Sequence, residues 1–364
     1  MERRACSSLV HRRFLDTGLP PREERVGRCR RDRARHHARA DRRRARPHLW
    51  RANLDRPLLW NRRHRRAPRR LARLLDPRPH SCHTSIDDDL RENGLGYTAK
   101  LGLHGRYGGY ALVTGAARGI GRAFATYLAA DGFDLLLVDR EASETEALAE
   151  ELAAKHGIDT RALICDLAEP GLLAKAEEWA KTYEIGLLVN NAGISLLDPF
   201  FDIPLDAHLA TLDVNCRATL LLTYVVGQSM TSRGRGGIII VSSASALSGS
   251  PYFCHYAATK GYGLNLAAGL WSELRGSGVD ALAVCPGMTD TKPVQDQGLG
   301  DDLPFYVPLA GPEPVALAAL RALGKQPALI PTWADRMSAG LLSKLLPRGW
   351  TLSIMKRSIE KMRR

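Results

Sequence analysis

Apolar residues fall into two regimes along this chain. From Tyr110 onward, short and nearly unbroken apolar runs alternate with longer stretches in which apolar positions recur every three or four residues. The runs are 110–113, 134–139, 161–165, 187–190, 237–242 and 281–285, with a last one at 328–330. Each is short and lacks polar alternation, so each predicts a strand buried on both faces. The helical spacing predicts helices over 122–130, 143–156, 171–184, 206–230, 256–275 and 314–323. Ser143 and Glu146 have capping-box spacing at the start of the second, and Gly157 reads as its stop. Such alternation implies an α/β fold: one doubly wound parallel sheet with helices on both faces and its ligand at the carboxyl ends of the strands. Past residue 335 the stretches 337–346 and 350–362 mix apolar residues with Arg and Lys, and 336–364 is expected to form amphipathic basic helices.

Residues 1–105 follow neither regime. Hydrophobic periodicity is poor there, no core can be assembled, and a disordered Arg-rich extension is expected. Charge sharpens the contrast. The whole chain carries +13, but residues 1–92 hold 27 Arg, no Lys and 12 acids, a net +15. The remaining 25 basic and 27 acidic residues leave the α/β part at −2. Three readings fit the extension: a basic arm for nucleic acid or anionic lipid, a targeting peptide, or a reading frame entered at too early a start site. The arginine-only complement favours the third. Cysteine usage is plain: seven residues, an odd number, with no C-x-x-C. Cys165 and Cys285 end predicted strands and read as buried thiols. No metal site is expected, and a reducing, cytoplasmic location is. No apolar run reaches 18 residues, so membrane contact is expected only peripherally, through the C-terminal tail.

Candidate chemistry begins at the first strand, which runs into Thr114-Gly115-Ala116-Ala117-Arg118-Gly119-Ile120-Gly121 and then a helix. Strand, glycine turn and helix form the context of a dinucleotide site. Gly115 permits the tight reversal. Gly119 and Gly121 remove side chains where backbone approaches a pyrophosphate or packs on the sheet, and the helix N-terminus offers unpaired N–H groups. Asp139 ends the second strand, where a carboxylate accepts hydrogen bonds from ribose hydroxyls and repels a 2′-phosphate. Arg140 follows directly and Arg118 precedes Gly119. The cofactor is therefore expected to be NAD or NADP, NAD being favoured by Asp139.

Tyr256-Ala257-Ala258-Thr259-Lys260 opens the helix after the fifth strand. Tyr and Lys at i and i+4 share a helical face, and an ammonium nearby favours phenolate. Ser242 and Ser243 end that strand at the same edge of the sheet, and Asn190-Asn191-Ala192-Gly193 ends the fourth. Tyr252 and Phe253 read as pocket lining. His208 and His255 have no partner in the sequence and read as helix or lining residues.

From about Tyr110 to Gly287 these motifs together resemble the short-chain dehydrogenase/reductase family. In look the chain is nearest to bacterial members near the long-chain 3-oxoacyl reductase and hydroxysteroid dehydrogenase branch. The resemblance implies a Rossmann-type domain over 106–335 with a mobile substrate lid over 288–311. It assigns Asn215, Ser243, Tyr256 and Lys260 as catalytic. It places the cofactor against Gly115, Ala117, Arg118, Gly119, Ile120 and Gly121 of the turn. Asp139, Arg140, Asp166 and Leu167 follow on the adenosine side, then Asn191, Ala192 and Gly193. Tyr256, Lys260, Pro286, Gly287 and Thr289 complete the set. Hydride then passes between a nicotinamide and a carbonyl or secondary alcohol carbon of a lipophilic small molecule. Tyr256 gives or takes the hydroxyl proton, and Ser243 orients the oxygen. Lys260 holds the ribose and lowers the Tyr256 pKa, and Asn215 completes a water-linked relay. Choosing Ser243 over Ser242 rests on the family's Ser–Tyr spacing. The two long helices at 206–230 and 256–275 match those that form homodimer and homotetramer faces in the family. A second class of function remains: a nucleotide-sensing or nucleic-acid-binding protein that uses the basic arm, with the fold as scaffold. The intact Ser–Tyr–Lys–Asn set argues against it, and no specific nucleic acid partner is expected.

Overall fold

The structure is a computed structural model, which describes residues 100–291, 309–337 and 347–362. The expectations for the Arg-rich extension, for the middle of the 288–311 lid and for the stretch 338–346 lie outside the described residues.

Seven parallel strands form one sheet: β1 Tyr110–Thr114, β2 Asp134–Asp139, β3 Thr160–Ile164, β4 Ile185–Asn190, β5 Gly236–Val241, β6 Val279–Val284 and β7 Ala328–Leu329. Their order is β3-β2-β1-β4-β5-β6-β7. Side chains alternate between the faces, with one irregularity where β1 meets the start of β4. Ala111, Val113, Leu135 and Leu137 join one apolar cluster, with helices α2 Gly119–Ala130, α3 Ala142–His156 and α8 Pro312–Ala322. Leu112, Leu136 and Val138 join the other, with α4 Leu172–Thr182, α6 Thr219–Arg233 and α7 Cys254–Glu273. Both faces being covered explains the unbroken apolar runs of the inner strands, whereas β3, expected to be buried on both faces, is an edge strand that exposes Arg161 and Ile164. The sheet turns from one winding to the other between β1 and β4. There the strand ends diverge and open a crevice.

Two features of the helices differ from the pattern-based reading. First, α3 starts at Ala142 after Glu141, whose side chain makes no cap bond. Ser143 is therefore inside the first turn, and its hydroxyl donates to the Glu144 carboxylate at 2.9 Å instead of capping the helix. Glu144 is held by Arg118 from the glycine turn, and that tertiary contact outweighs the local capping motif. Gly157 does end this helix, at φ 66°. Second, the long helix predicted over 206–230 is three segments. These are α5 Leu205–Leu212, a π-helical stretch Asp213–Ala218, and α6. The widened turn lies around Asn215, and such insertions concentrate at functional sites. Taken together, 205–233 is long and apolar enough to cross a membrane, with 39% of its most apolar window buried. Its Leu222, Val226 and Met230 pack into the sheet's core cluster, as a helix of the α/β layer does.

The short helix α1 Leu103–Tyr107 begins before the boundary expected at 105. The buried Asp131 carboxylate, at the end of α2, accepts the backbone N–H groups of Leu101, Gly102, Leu103 and His104. A carboxylate at a helix N-terminus satisfies its orphan donors and complements the dipole. This bond joins positions about thirty residues apart, which no local pattern encodes.

Candidate active site

The glycine turn is held by close packing. Gly115 has φ 64°, in the left-handed region. Gly121 lies against the turn's own backbone: a Cβ there would stand 2.0 Å from the Gly115 carbonyl oxygen and 2.6 Å from Asn191 Nδ2. Asn191 fixes the arrangement from β4. Its Nδ2 donates to the carbonyls of Thr114 at 2.9 Å and Gly115 at 3.1 Å, and its backbone N–H donates to Thr114 Oγ1 at 3.0 Å. The N-N-A-G stretch therefore builds the turn. Gly121→Ala is expected to cost about 1–3 kcal/mol through overpacking against backbone and to abolish dinucleotide binding. Thermal melting with and without cofactor measures both effects.

One cavity of about 880 Å³ opens at the carboxyl edge of the sheet. Its walls include residue 115 and the stretches 117–120, 139–140, 166–167, 191–193 and 286–287, together with Ser243, Tyr256, Lys260 and Thr289. These are residues that the sequence singled out. Gly121 and Asn215 are not in its wall. Gly121 sits behind the turn. Asn215 is buried, its Oδ1 accepting from the Ile194 N–H at 2.8 Å and its Nδ2 donating to the Ile194 carbonyl at 3.0 Å and to Thr259 Oγ1 at 2.9 Å. It thus ties the segment after β4 to α7.

At the adenosine end, Asp139 is oriented by three backbone donors. Ala117 N–H reaches Oδ2 at 3.0 Å, while Arg140 and Glu141 N–H reach Oδ1 at 2.8 and 3.2 Å. Arg118 is paired with Glu144, and Arg140 lies 3.5 Å from Glu141. Asp166 turns one oxygen onto the Ala168 N–H at 2.9 Å.

At the other end, Ser242 and Ser243 separate by partner. The buried Ser242 hydroxyl donates to the Lys260 carbonyl at 2.7 Å. Ser243 Oγ accepts from Ser245 N–H at 3.2 Å and Ser245 Oγ at 3.0 Å, and lines the cavity with Tyr256. α7 begins at Cys254, so Tyr256 lies in its first turn. Lys260 Nζ donates to the Val241 carbonyl at 2.9 Å and lies 5.7 Å from the centre of the Tyr256 ring. Burial pushes the Lys260 ammonium down to about 8. Burial also raises the Tyr256 phenol above its ordinary 10, and the opposing pull comes from Ser243. The expected lowering of the phenol by Lys260 is therefore not what the described protein shows, because loss of hydration dominates.

The dinucleotide fits this cradle. The turn's backbone is bare at Gly115 and Gly119, and Gly193 leaves room beside the lysine: a Cβ there would stand 3.0 Å from Lys260 Nζ. Sequence reasoning missed several residues of the wall, among them a buried carboxylate. Asp335, 3% exposed, ends the short helix α9 Trp333–Asp335 after β7 and accepts the Gly287 N–H at 3.2 Å. Burial raises its carboxyl. A lone Asp carries no motif, and only the chain's return to the sheet places it there. Phe253 lines the cavity as expected, whereas Tyr252 does not. Cys165 and Cys285 are buried free thiols.

A doubly wound sheet, a glycine turn and a Ser–Tyr–Lys edge in one crevice define a dinucleotide-dependent oxidoreductase. Comparison with known proteins agrees: residues 109–301 match the short chain dehydrogenase family. The chain belongs to the short-chain dehydrogenase/reductase family, in the branch of 3-oxoacyl reductases and hydroxysteroid dehydrogenases. A very-long-chain 3-oxoacyl-CoA reductase-like protein of Arabidopsis thaliana is 34% identical over 257 residues, 68% of this chain and 82% of the relative. A 7β-hydroxysteroid dehydrogenase structure superposes with TM-score 0.65 at 25% identity, covering 70% of this chain and 99% of the other. A short-chain dehydrogenase from Sphingobium yanoikuyae in complex with NADPH does so with TM-score 0.56 at 30% identity, covering 65% and 96%. The protein is thus an NAD(P)-dependent oxidoreductase acting on small-molecule carbonyl or alcohol groups. The nucleic-acid alternative finds no support in these comparisons.

Proposed function

We infer that the protein reduces a ketone, or oxidises the matching secondary alcohol, on a lipophilic molecule, with Tyr256 as general acid/base. The observation that carries this reading is the convergence of Ser243, Tyr256 and Lys260 at one end of a cavity whose other end is the glycine turn. When bound, a nicotinamide would supply or accept the hydride. Ser243 and the Tyr256 hydroxyl converge where a carbonyl oxygen would bind. Lys260, beside the space left by Gly193, is placed to hold ribose hydroxyls. Asn215 holds α7 to the β4 edge through Ile194 and Thr259 and so positions Tyr256. Because burial raises the phenol, Tyr256 is protonated at neutral pH and ready to donate. Reduction is expected to be faster than oxidation at pH 7, with oxidation accelerating as pH rises; initial rates in both directions against pH check this.

Apolar residues carry the substrate end, with Ala210, Val214, Phe253, Ile354 and Met355 among the lining. With relatives named 3-oxoacyl-CoA reductases, this lining favours a 3-oxoacyl thioester or a comparably lipophilic ketone. NAD is the favoured cofactor. Asp139 is fixed by backbone donors, and both nearby guanidiniums already face carboxylates, so a 2′-phosphate would meet more negative than positive charge. The NADPH-bound neighbour is the counterweight. Thermal shift with NAD, NADH, NADP and NADPH, then kcat/KM with each pair, decides it; a preference for NADP would reverse the assignment. Leu205, Leu209, Leu220 and Tyr224 leave an exposed apolar stripe along α5 and α6. This stripe supports a homodimer or homotetramer, and light scattering tests it.

A further inference from the structure

The C-terminal helix α10, Arg348–Met362, lies against the substrate end of the cavity. Thr351 and Ile359 are buried, and together with Ile354, Met355 and Ser358 they line the cavity. Three contacts fasten it to one loop, 248–253. Arg348 Nε donates to the Ser248 carbonyl at 3.2 Å, the Ser248 hydroxyl approaches Met355 Sδ at 3.9 Å, and the Tyr252 hydroxyl donates to Glu360 Oε1 at 2.7 Å. Tyr252 is the only non-glycine among the described residues with positive φ, at 64°. An L side chain avoids that region unless its surroundings hold it there. The same loop runs directly into α7 and Tyr256.

We propose that α10 is the far wall of the substrate site and that the Tyr252–Glu360 hydrogen bond is the latch that holds it there. This pair then governs affinity for the apolar chain of the substrate without touching the reacting carbonyl. The inference rests on the reading of a lipophilic carbonyl substrate. Glu360 also stands 3.7 Å from Lys356 on its own helix, so loss of the ion pair must be separated from loss of the latch. Glutamine makes that separation: its amide oxygen still accepts from Tyr252 but carries no charge.

The test uses the full chain with 3-oxoacyl N-acetylcysteamine thioesters of two lengths, four and twelve carbons. Glu360→Ala should raise KM for the longer substrate by about tenfold, the loss of roughly one hydrogen-bonded contact. Its KM for the shorter substrate and kcat for both should stay unchanged. Glu360→Gln should behave as wild type. An unchanged KM for the longer substrate, or an equal rise for both lengths, overturns the proposal. If wild type binds cofactor yet reduces neither thioester, the substrate reading has failed, and amide hydrogen exchange still decides the latch. Glu360→Ala should then speed exchange across 348–362 relative to wild type and to Glu360→Gln. Equal rates overturn the latch.

Discussion

Tyr256→Phe is expected to lower turnover by about 10²–10⁴-fold, the usual contribution of a positioned proton donor, while leaving cofactor affinity unchanged. The substitution removes one oxygen and keeps the ring that packs beside Phe253 and under Lys260. Its stability should therefore be close to that of wild type. The reduction is expected in kcat and kcat/KM alike, because the missing interaction is made to the developing hydroxyl and not to the bound ground state. Steady-state kinetics with a fluorescence titration of the reduced cofactor give both quantities. Near-wild-type turnover would remove Tyr256 from the chemistry and put the neighbouring Ser243 hydroxyl first among those to reconsider.

Lys260→Met is expected to abolish turnover and to stabilise the fold. The ammonium is 7% exposed and its folded pKa is about 8, against an ordinary 10.5. Below pH 8 both folded and unfolded chains carry the proton, and the folded state bears the whole cost of burying it. Between pH 8 and 10.5 the unfolded chain binds more protons, so wild-type stability rises with pH across that window. The cost converts to an upper bound of roughly 3 kcal/mol at 1.36 kcal/mol per unit. Loss of the hydrogen bond to the Val241 carbonyl offsets about 1 kcal/mol of it. Thermal melts of both proteins from pH 6 to pH 10.5 measure this: the variant should melt higher at pH 7, and the gap should close as pH rises. A variant that melts lower at pH 7 would show that the lysine is a net structural support. Stability given up at a functional site is a common trade, and here the ammonium is the group proposed to hold a ribose.

Much of this was legible in one dimension. Buried parallel strands write themselves as unbroken apolar runs because both faces are covered, so the sheet's strands were readable to within a residue or two for β1 and β2. The glycine turn was readable because steric exclusion leaves only glycine where a Cβ would meet backbone at 2.0 Å. Tyr256, Lys260 and the Ser pair were readable because short spacing on one helix and one strand end fixes their placement.

What required the tertiary structure depends on contacts between distant positions. The interruption of the 206–230 helix into a π turn at Asn215 follows from partners at Ile194 and Thr259. Helical periodicity does not record them. Ser143 has capping spacing, yet Glu144 is engaged by Arg118 from another loop. Asp131 and Asp335 acquire meaning only from backbone N–H groups that folding brings to them. The ionisation of Tyr256 and Lys260 is a matter of burial, which a spacing cannot express. The sequence by itself determined the sheet, the turn and the meeting of Ser243, Tyr256 and Lys260 at one edge, because short-range sterics and the burial of strands leave a local signature. Only the tertiary structure decided which charges are paired, which are desolvated and where α10 lies, because those depend on what surrounds a residue and not on what precedes it.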